Sequence, residues 1–464
     1  MGKQDKGGGA DMRGRERNTM VTGALLLTGV NLFAQIFGFA YRVWLSRLIS
    51  PEALGLFQLV MPFYAIIMSI GVSGLTVAVS RLTAYYSALG QTRAIRQVVR
   101  VARLGYSLMI LGLSALIIPF SDWFSVAFLG DARTRLALLL LLPEIWLTGW
   151  ENVHKNYFYG RKNVIPPAIA EVLEQISRVS SVLGLLILLR PAYEEAQVAV
   201  IVLGMLISEV FSAGLLTLLY RRDQKKRPAK GPLAPGMTRK VLSIALPVAS
   251  ANLLANLISS LNSIIIPGRL IVSGMDPSLA LSAFGVAFGM TMPLLGLPLA
   301  FTVSIGLVML PRLSENAALG DIGGIRRKVR LALLVSAAVI LSCMAVLIPF
   351  GAPLARALFK NPGAGQYMAP LCIATVFVCL EQVFCSFLNG LGKQKRAAAN
   401  LIAAGVVQLS VTYWAVALPG LRLMGFVWAY IIGNALGAAL CGHDLIKLLY
   451  GKTPPAFQIG GPGE

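Results

Sequence analysis

The sequence predicts an all-α integral membrane protein of about twelve transmembrane helices in two parallel six-helix repeats. Of its 464 residues, 56% are hydrophobic and only 13% charged, about half the charged share of an ordinary soluble domain. Apolar segments of span length recur from residue 20 to residue 446. Twelve spans of ~20 residues use roughly 240 positions, which leaves short loops and no room for a separate soluble domain. Basic residues gather in alternate connections, the charge pattern of a multi-pass membrane protein.

The elements follow in order. Residues 1–19 form a polar, basic tail carrying Lys3, Lys6, Arg13, Arg15 and Arg17. The apolar run behind it is longer than a signal-peptide core and lacks a clear cleavage site, so it reads as a retained first helix. Spans are expected near 20–46, 55–80, 101–120, 133–154, 164–189 and 197–220, and again near 241–267, 280–310, 329–350, 366–388, 398–418 and 422–446. The eighth is long and holds Pro293, Gly296 and Pro298, which predicts a kink or tilt. Residues 221–240 (RRDQKKRPAKGPLAPGMTRK) are the longest polar stretch. They read as a basic linker between a 20–220 lobe and a 241–446 lobe, and suit contact with anionic lipid. Residues 447–464 form a second tail.

With the N-terminus assigned to the cytoplasm, segments 1–19, 81–103, 155–162, 221–240, 312–330, 393–396 and 447–452 hold 31 of the 41 Lys and Arg. The alternation never breaks, so both termini are expected in the cytoplasm. The net charge of +21 would suggest nucleic acid in a soluble protein. Its confinement to alternate loops points to the lipid bilayer instead. Cys343, Cys372, Cys379, Cys385 and Cys441 fall in apolar segments or at their edges, and His154 and His443 lie near span ends. Free thiols are expected, and neither a disulfide nor a metal site.

The two halves resemble each other. Residues 96–120 align with 326–350 at an offset of 230, matching Arg96 to Arg326 and Arg100 to Arg330, and both segments end in Ile-Pro-Phe. The same offset pairs Glu151 with Glu381 and Gly160 with Gly390; Asn31-Leu-Phe-Ala-Gln35 resembles Asn252-Leu-Leu-Ala-Asn256. An even number of spans per half preserves orientation, so the repeats are parallel. Paired repeats suit alternating access around a site near mid-membrane.

Ionisable groups at membrane depth are costly and usually face a bundle interior or a wet cavity. At 100° per residue, Asn31, Gln35, Gly38 and Arg42 form a polar stripe on the first span, as do Asn252, Asn256, Ser259 and Ser263 on the seventh. Two readings stand: the stripes line a hydrophilic cavity, or they hydrogen-bond between helices. Glu171, Glu174 and Arg178 share a face of span five, with Arg178 ~20 Å along the helix. For Glu174 and Arg178, spaced i, i+4, a structural ion pair stands beside a role in substrate or ion handling. Glu144 and Glu151 share a face of span four, and Glu209 and Glu381 also lie at membrane depth. Such carboxylates bind a coupling proton or sodium ion, or pair internally. Glu144, following Pro143 without an obvious local partner, is the first coupling candidate. Arg269 either snorkels at the outer end of span seven or meets an anionic group.

The run from Phe39 to Gln58 (FAYRVWLSRLISPEALGLFQ), with Glu174-Gln-Ile-Ser-Arg178-Val, Ile266-Pro-Gly-Arg269-Leu, Met309-Leu-Pro-Arg-Leu-Ser-Glu315 and Leu388-Asn-Gly-Leu-Gly-Lys393, resembles the stage V sporulation protein B group. That group lies among the polysaccharide transporters of the multidrug/oligosaccharidyl-lipid/polysaccharide exporter superfamily. The resemblance covers nearly the whole chain, from about 20 to 446. It implies two six-helix lobes, a central V-shaped cavity and alternating access. The implied cargo is a polyprenyl-pyrophosphate-linked sugar such as lipid II, and cell-wall synthesis enzymes are implied partners in a bacterial cytoplasmic membrane. Arg42, Arg178 and Arg269 stand at motif positions where cations hold pyrophosphate. The sequence departs from the pattern before Gly160, where an arginine-glycine pair is missing, and at Asn262, where an acid is expected.

The leading functional reading is therefore a flippase. In it, Arg42, Arg178 and Arg269 contact phosphate, and Asn31, Gln35, Asn252 and Asn256 line the sugar path. Glu144, Glu151, Glu171, Glu174 and Glu381 serve ion coupling or internal pairing, and a proton or sodium gradient takes the place of a cofactor. The competing reading is a drug or cation antiporter of the same fold, favoured by the carboxylate excess within the spans. An enzyme is disfavoured, because the short extracytoplasmic loops hold few convergent acids.

Overall fold

A computed structural model describes residues 29–30, 32–318 and 321–450, and no strand occurs among them. Helix α1 covers 29–30 and 32–48 of the described residues. It is followed by α2 (Pro51–Ala88), α3 (Thr92–Ile117), α4 (Arg135–Gly160), α5 (Ile165–Leu189), α6 (Glu194–Lys225) and α7 (Met237–Val272). Helix α8 runs through Pro277–Gly285, Val286–Thr291 and Met292–Ala318; α9 is Ile322–Phe359, α10 Met368–Gly390, α11 Gln394–Ala415 and α12 Leu423–Tyr450. Eleven described helices, α2 to α12, have the length and apolarity to cross a membrane. Helix α1 occupies the place of the first expected span. The tails at 1–19 and 451–464, and Asn31, lie outside the described residues.

Several details differ from expectation, and α12 runs to Tyr450, four residues into the tail expected from 447. Residues 221–225 continue α6 and 237–240 begin α7, so the basic linker is non-helical only over 226–236. Helix α8 is interrupted one turn before Pro293, by a π-helical turn at Val286–Thr291 in which Thr291 Oγ1 donates to the Val286 carbonyl at 3.3 Å. A proline clashes with the carbonyl four residues before it. The widened turn takes up that misfit ahead of the ring rather than at it. Helix starts carry ordinary signals. Asp276 caps α8 through Ser278 N (2.9 Å) with Pro277 in the first turn, and Asp321 caps α9 through Gly324 N (2.8 Å).

By packing, the described chain divides into two units. The first holds residues up to Leu48, Tyr64–Ser125 and Ala132–Leu253; the second holds Ile49–Phe63, Val126–Asp131 and residues from Leu254 onward. Within the first unit α5 and α4 pack on α6, and α4 also packs on α3 and the end of α2. Within the second, each of these pairings recurs six helices later: α11 and α10 on α12, α10 on α9 and on the end of α8. The cores repeat in register. Ile95, Val99, Val153, Tyr157 and Phe158 are buried in one unit, and Ile325, Val329, Val383, Phe387 and Leu388, each 230 positions on, in the other. Shared pairings and shared core positions are what a duplicated six-helix unit leaves behind.

Candidate functional site

In the first unit the sequence concentrates charge on three packed helices. Helix α4 presents Glu144, Thr148, Glu151 and Lys155 at spacings of four, three and four, which keeps them on one face. Helix α5 contributes Glu174 and Arg178, and α6 contributes Glu209 and Ser212. Glu144, Glu151, Glu174 and Glu209 are all buried.

Lys155 is the hub. Its Nζ lies 3.2 Å from Glu151 Oε1 and 3.2 Å from Glu174 Oε2, joining α4 to α5. Arg178 Nη2 pairs with Glu174 one turn earlier and lies 3.9 Å from Glu209 Oε2, joining α5 to α6. Ser212 donates to the Glu151 carboxylate, joining α6 back to α4. Glu144 stands two turns before Glu151 on α4, with Thr148 Oγ1 3.5 Å from its carboxylate and 3.0 Å from its carbonyl. Arg178 also faces Glu144 and the hydroxyls of Tyr41 and Tyr64. Glu171 is half-buried and faces Lys155.

The cluster is not saturated. Glu144 Oε2, Arg178 Nε and both Glu209 oxygens are buried and make no hydrogen bond among the described residues. Four carboxylates face two cations. With all of them ionised, two negative charges would stand uncompensated, a balance that one or two protons or a cation restores. Glu151, Glu174 and Glu209 each offer an oxygen within 4.8 Å of the others, an all-oxygen set of the kind hard cations take. Lys155 already pairs with Glu151 and Glu174, and Arg178 with Glu174, which makes the group an ion-pair network before it is a metal cage.

The structure therefore brings Glu144, Glu151, Glu174 and Arg178 together with Glu209, the further carboxylate expected at membrane depth, and adds two residues outside the sequence-based site: Lys155 and Ser212. The charge alternation places Lys155 in a cytoplasmic loop at 155–162, but α4 continues to Gly160 and buries most of its side chain. The i, i+4 spacing from Glu151 was the available signal.

Other expected residues lie elsewhere. Gln35 and Arg42 are exposed on α1, and Asn252 and Asn256 are exposed on α7. Arg269, in the second unit, is held by α11: its Nε donates to the Tyr413 carbonyl at 2.9 Å, and its guanidinium stacks on the Tyr413 ring at 4.0 Å. Glu381 is buried in the second unit against Gly437, where a Cβ would overlap its carboxylate. Further along α7, Ser259, Asn262 and Ser263 line a cavity of about 440 Å³ with Gln408, Tyr430 and Asn434. Asn262 accepts a hydrogen bond from Thr412 Oγ1 at 3.0 Å.

Comparison with known proteins supplies independent findings. Residues 20–317 match the model of a family described as "Polysaccharide biosynthesis protein", and residues 237–414 match that of the MatE family. The chain is similar to stage V sporulation protein B of Bacillus subtilis (strain 168), with 24% identity over 93% of this chain and 85% of that protein. It is also similar to lipid II flippase MurJ of the same organism, at 22% identity over 92% of this chain and 82% of that protein. Among solved structures, the inward-facing conformation of a multidrug resistance MATE family transporter of the MOP superfamily superimposes with a TM-score of 0.71 at 18% identity, covering 90% of this chain and 96% of that one. A MOP superfamily transporter from Pyrococcus furiosus Vc1 (DSM3638) gives a TM-score of 0.59 at 19% identity, covering 93% and 94%.

Proposed function

Because the chain belongs to the polysaccharide biosynthesis protein family, we propose that it is an alternating-access flippase. Its cargo would be a polyprenyl-pyrophosphate-linked oligosaccharide, such as a cell-wall or polysaccharide precursor, moved across a bacterial cytoplasmic membrane with both termini cytoplasmic. The relatives named for stage V sporulation and for lipid II flipping support the cargo class. The observation that carries the reading is Arg178. A guanidinium at membrane depth, backed by Glu174 and Glu209 and with a quarter of its side chain exposed, meets an anionic group once protons or a cation take up the carboxylate excess around it. Bidentate recognition of phosphate suits that geometry. The surrounding carboxylates, Glu144 foremost, take or release a proton or sodium ion in step with the cargo. No catalytic step is assigned to the protein.

A second reading, a cation or drug antiporter, draws on the excess of buried carboxylates over Lys155 and Arg178. Proteoliposomes separate the two. The flippase reading expects translocation of a fluorescent undecaprenyl-pyrophosphate-linked sugar, abolished by Arg178→Ala while the chain remains membrane-inserted and monodisperse. Translocation unaffected by Arg178→Ala, or organic-cation transport with no movement of the lipid-linked sugar, removes the flippase reading. If Arg178→Ala simply fails to insert, Arg178→Lys, which keeps the charge but not the fork, makes the same comparison.

A further inference from the structure

Where α3 begins and α6 ends, the first unit holds a second concentration of charge, separate from the Lys155 and Arg178 cluster. A cavity of about 430 Å³ is lined by Arg96, Arg100, Arg103, Lys225 and Arg227, with Gln224 beside them and no carboxylate in its wall. Crowding five cations around one hollow is unfavourable unless something negative enters it.

The neighbouring acid does not relieve that crowding. Asp223 accepts from the Tyr157 hydroxyl at 2.5 Å and pairs with Arg227 at 3.2 Å and Arg161 at 3.9 Å. It neutralises part of Arg227 and leaves Arg100, Arg103 and Lys225 without an acid partner among the described residues. Arg221 and Arg100 both act on Arg103. Arg96 is a strut: it donates to Gln224 Oε1 (2.5 Å) and to the carbonyls of Gln224 (2.9 Å) and Arg227 (2.6 Å). These contacts tie the start of α3 to the end of α6 and fix the hollow's shape.

Arg103 forms the floor. Its guanidinium lies 5.1 Å from the Trp150 ring and 5.9 Å from the Tyr220 ring, and its buried Nε makes no hydrogen bond among the described residues. The Trp150 indole is fixed in turn by a 2.8 Å bond to Ser107 Oγ. A guanidinium held against aromatic rings is oriented, and the part of it that lines the hollow is left for a planar or tetrahedral anion.

The duplicated unit provides an internal control. At the 230-residue offset Arg96, Arg100 and Tyr220 become Arg326, Arg330 and Tyr450, but Arg103 becomes Leu333, Trp150 becomes Leu380 and Ser107 becomes Ala337. Like Arg96, Arg326 bonds a helix-end carbonyl, that of Leu449 at 2.9 Å, and it is Arg326 that stacks on Tyr450, at 4.5 Å. The helix-end strut is thus common to both units. The floor cation, its aromatic and the hydroxyl behind it belong to the first unit alone.

We infer that the hollow formed by Arg100, Arg103, Lys225 and Arg227 is a phosphate-binding site, taking the phosphate of an anionic lipid headgroup or of a soluble phosphate compound. Its place at helix ends, where spans meet the headgroup layer, admits either source.

The full-length chain, purified in neutral detergent, is titrated with inorganic pyrophosphate. In parallel it is exposed to mixed micelles of phosphatidylglycerol or phosphatidylcholine, and retained lipid is measured by native mass spectrometry. Arg100→Gln/Lys225→Gln should weaken the bound species about tenfold or more. Arg327→Gln/Lys395→Gln, with the same charge removed outside the hollow, should leave it unchanged. Saturable pyrophosphate binding identifies a soluble phosphate. Selective retention of phosphatidylglycerol without it identifies a headgroup. No saturable binding in either arm, or equal losses in the two double variants, overturns the inference. If the hollow's double variant melts early, Lys225→Gln alone makes the comparison.

Discussion

Helices α4–α6 and α10–α12 pack in the same way and bury the same core positions, yet their polar interiors have diverged. In the first unit Glu151 meets Lys155, Glu174, Arg178 and Ser212 across three helices. In the second, the cognate Glu381 faces the bare backbone of Gly437. The positions matching Lys155, Glu174, Arg178 and Glu209 are Cys385, Ala404, Gln408 and Ala439. One copy of the duplication has become an ionic network; in the other, Glu381 makes no ion pair among the described residues, and Asp444, near the end of α12, accepts a hydrogen bond from Asn400 at 2.9 Å. A six-helix unit therefore folds without the network. Where the charges are kept, function is the economical explanation, because buried ion pairs contribute little net stability.

That contrast can be broken most sharply at Lys155. Lys155→Met leaves Glu151 and Glu174 buried without their shared cation and should cost about 3–5 kcal/mol, read as a lowered unfolding midpoint in detergent. Cys385→Ala at the cognate position should cost about 1 kcal/mol. Equal losses at the two sites would mean that the units do not differ as described. The second-largest effect is expected at Gly437. Gly437→Ala drives a methyl into the Glu381 carboxylate and should cost about 1–3 kcal/mol. Glu381→Ala in the same chain should recover most of the loss, and a double variant no better than the single would place the strain elsewhere. The smallest concerns Arg269. Arg269→Lys gives up the guanidinium stacked on Tyr413 and should lower stability by about 1 kcal/mol. A much larger drop in translocation than in the melting midpoint would move Arg269 from a helix tie to the cargo path.

Much of this could be read along the chain. Span length, low charge and the alternation of basic loops follow from the cost of placing polar groups in hydrocarbon, and they set the class and the helix count. The 230-residue offset, read from a few arginines and glutamates, proved to be the register of two buried cores. The Glu174–Arg178 pair was legible because i, i+4 geometry is local.

What the linear order could not give was the partners. Lys155 sits four residues from Glu151 but next to Glu174, 19 positions away, and Ser212 reaches Glu151 from 61 positions away. Whether α4 ends before or after Lys155 depends on helix packing rather than on hydropathy. Arg103, likewise, is one basic residue among many until Trp150 and Tyr220 fold against it. Sequence alone determined the solvent of each segment, its helical form and the duplication, because these rest on short-range composition. The tertiary structure alone decided which buried charges neutralise one another and which remain open to an anion, because electrostatic energy depends on distances in space that chain separation does not encode.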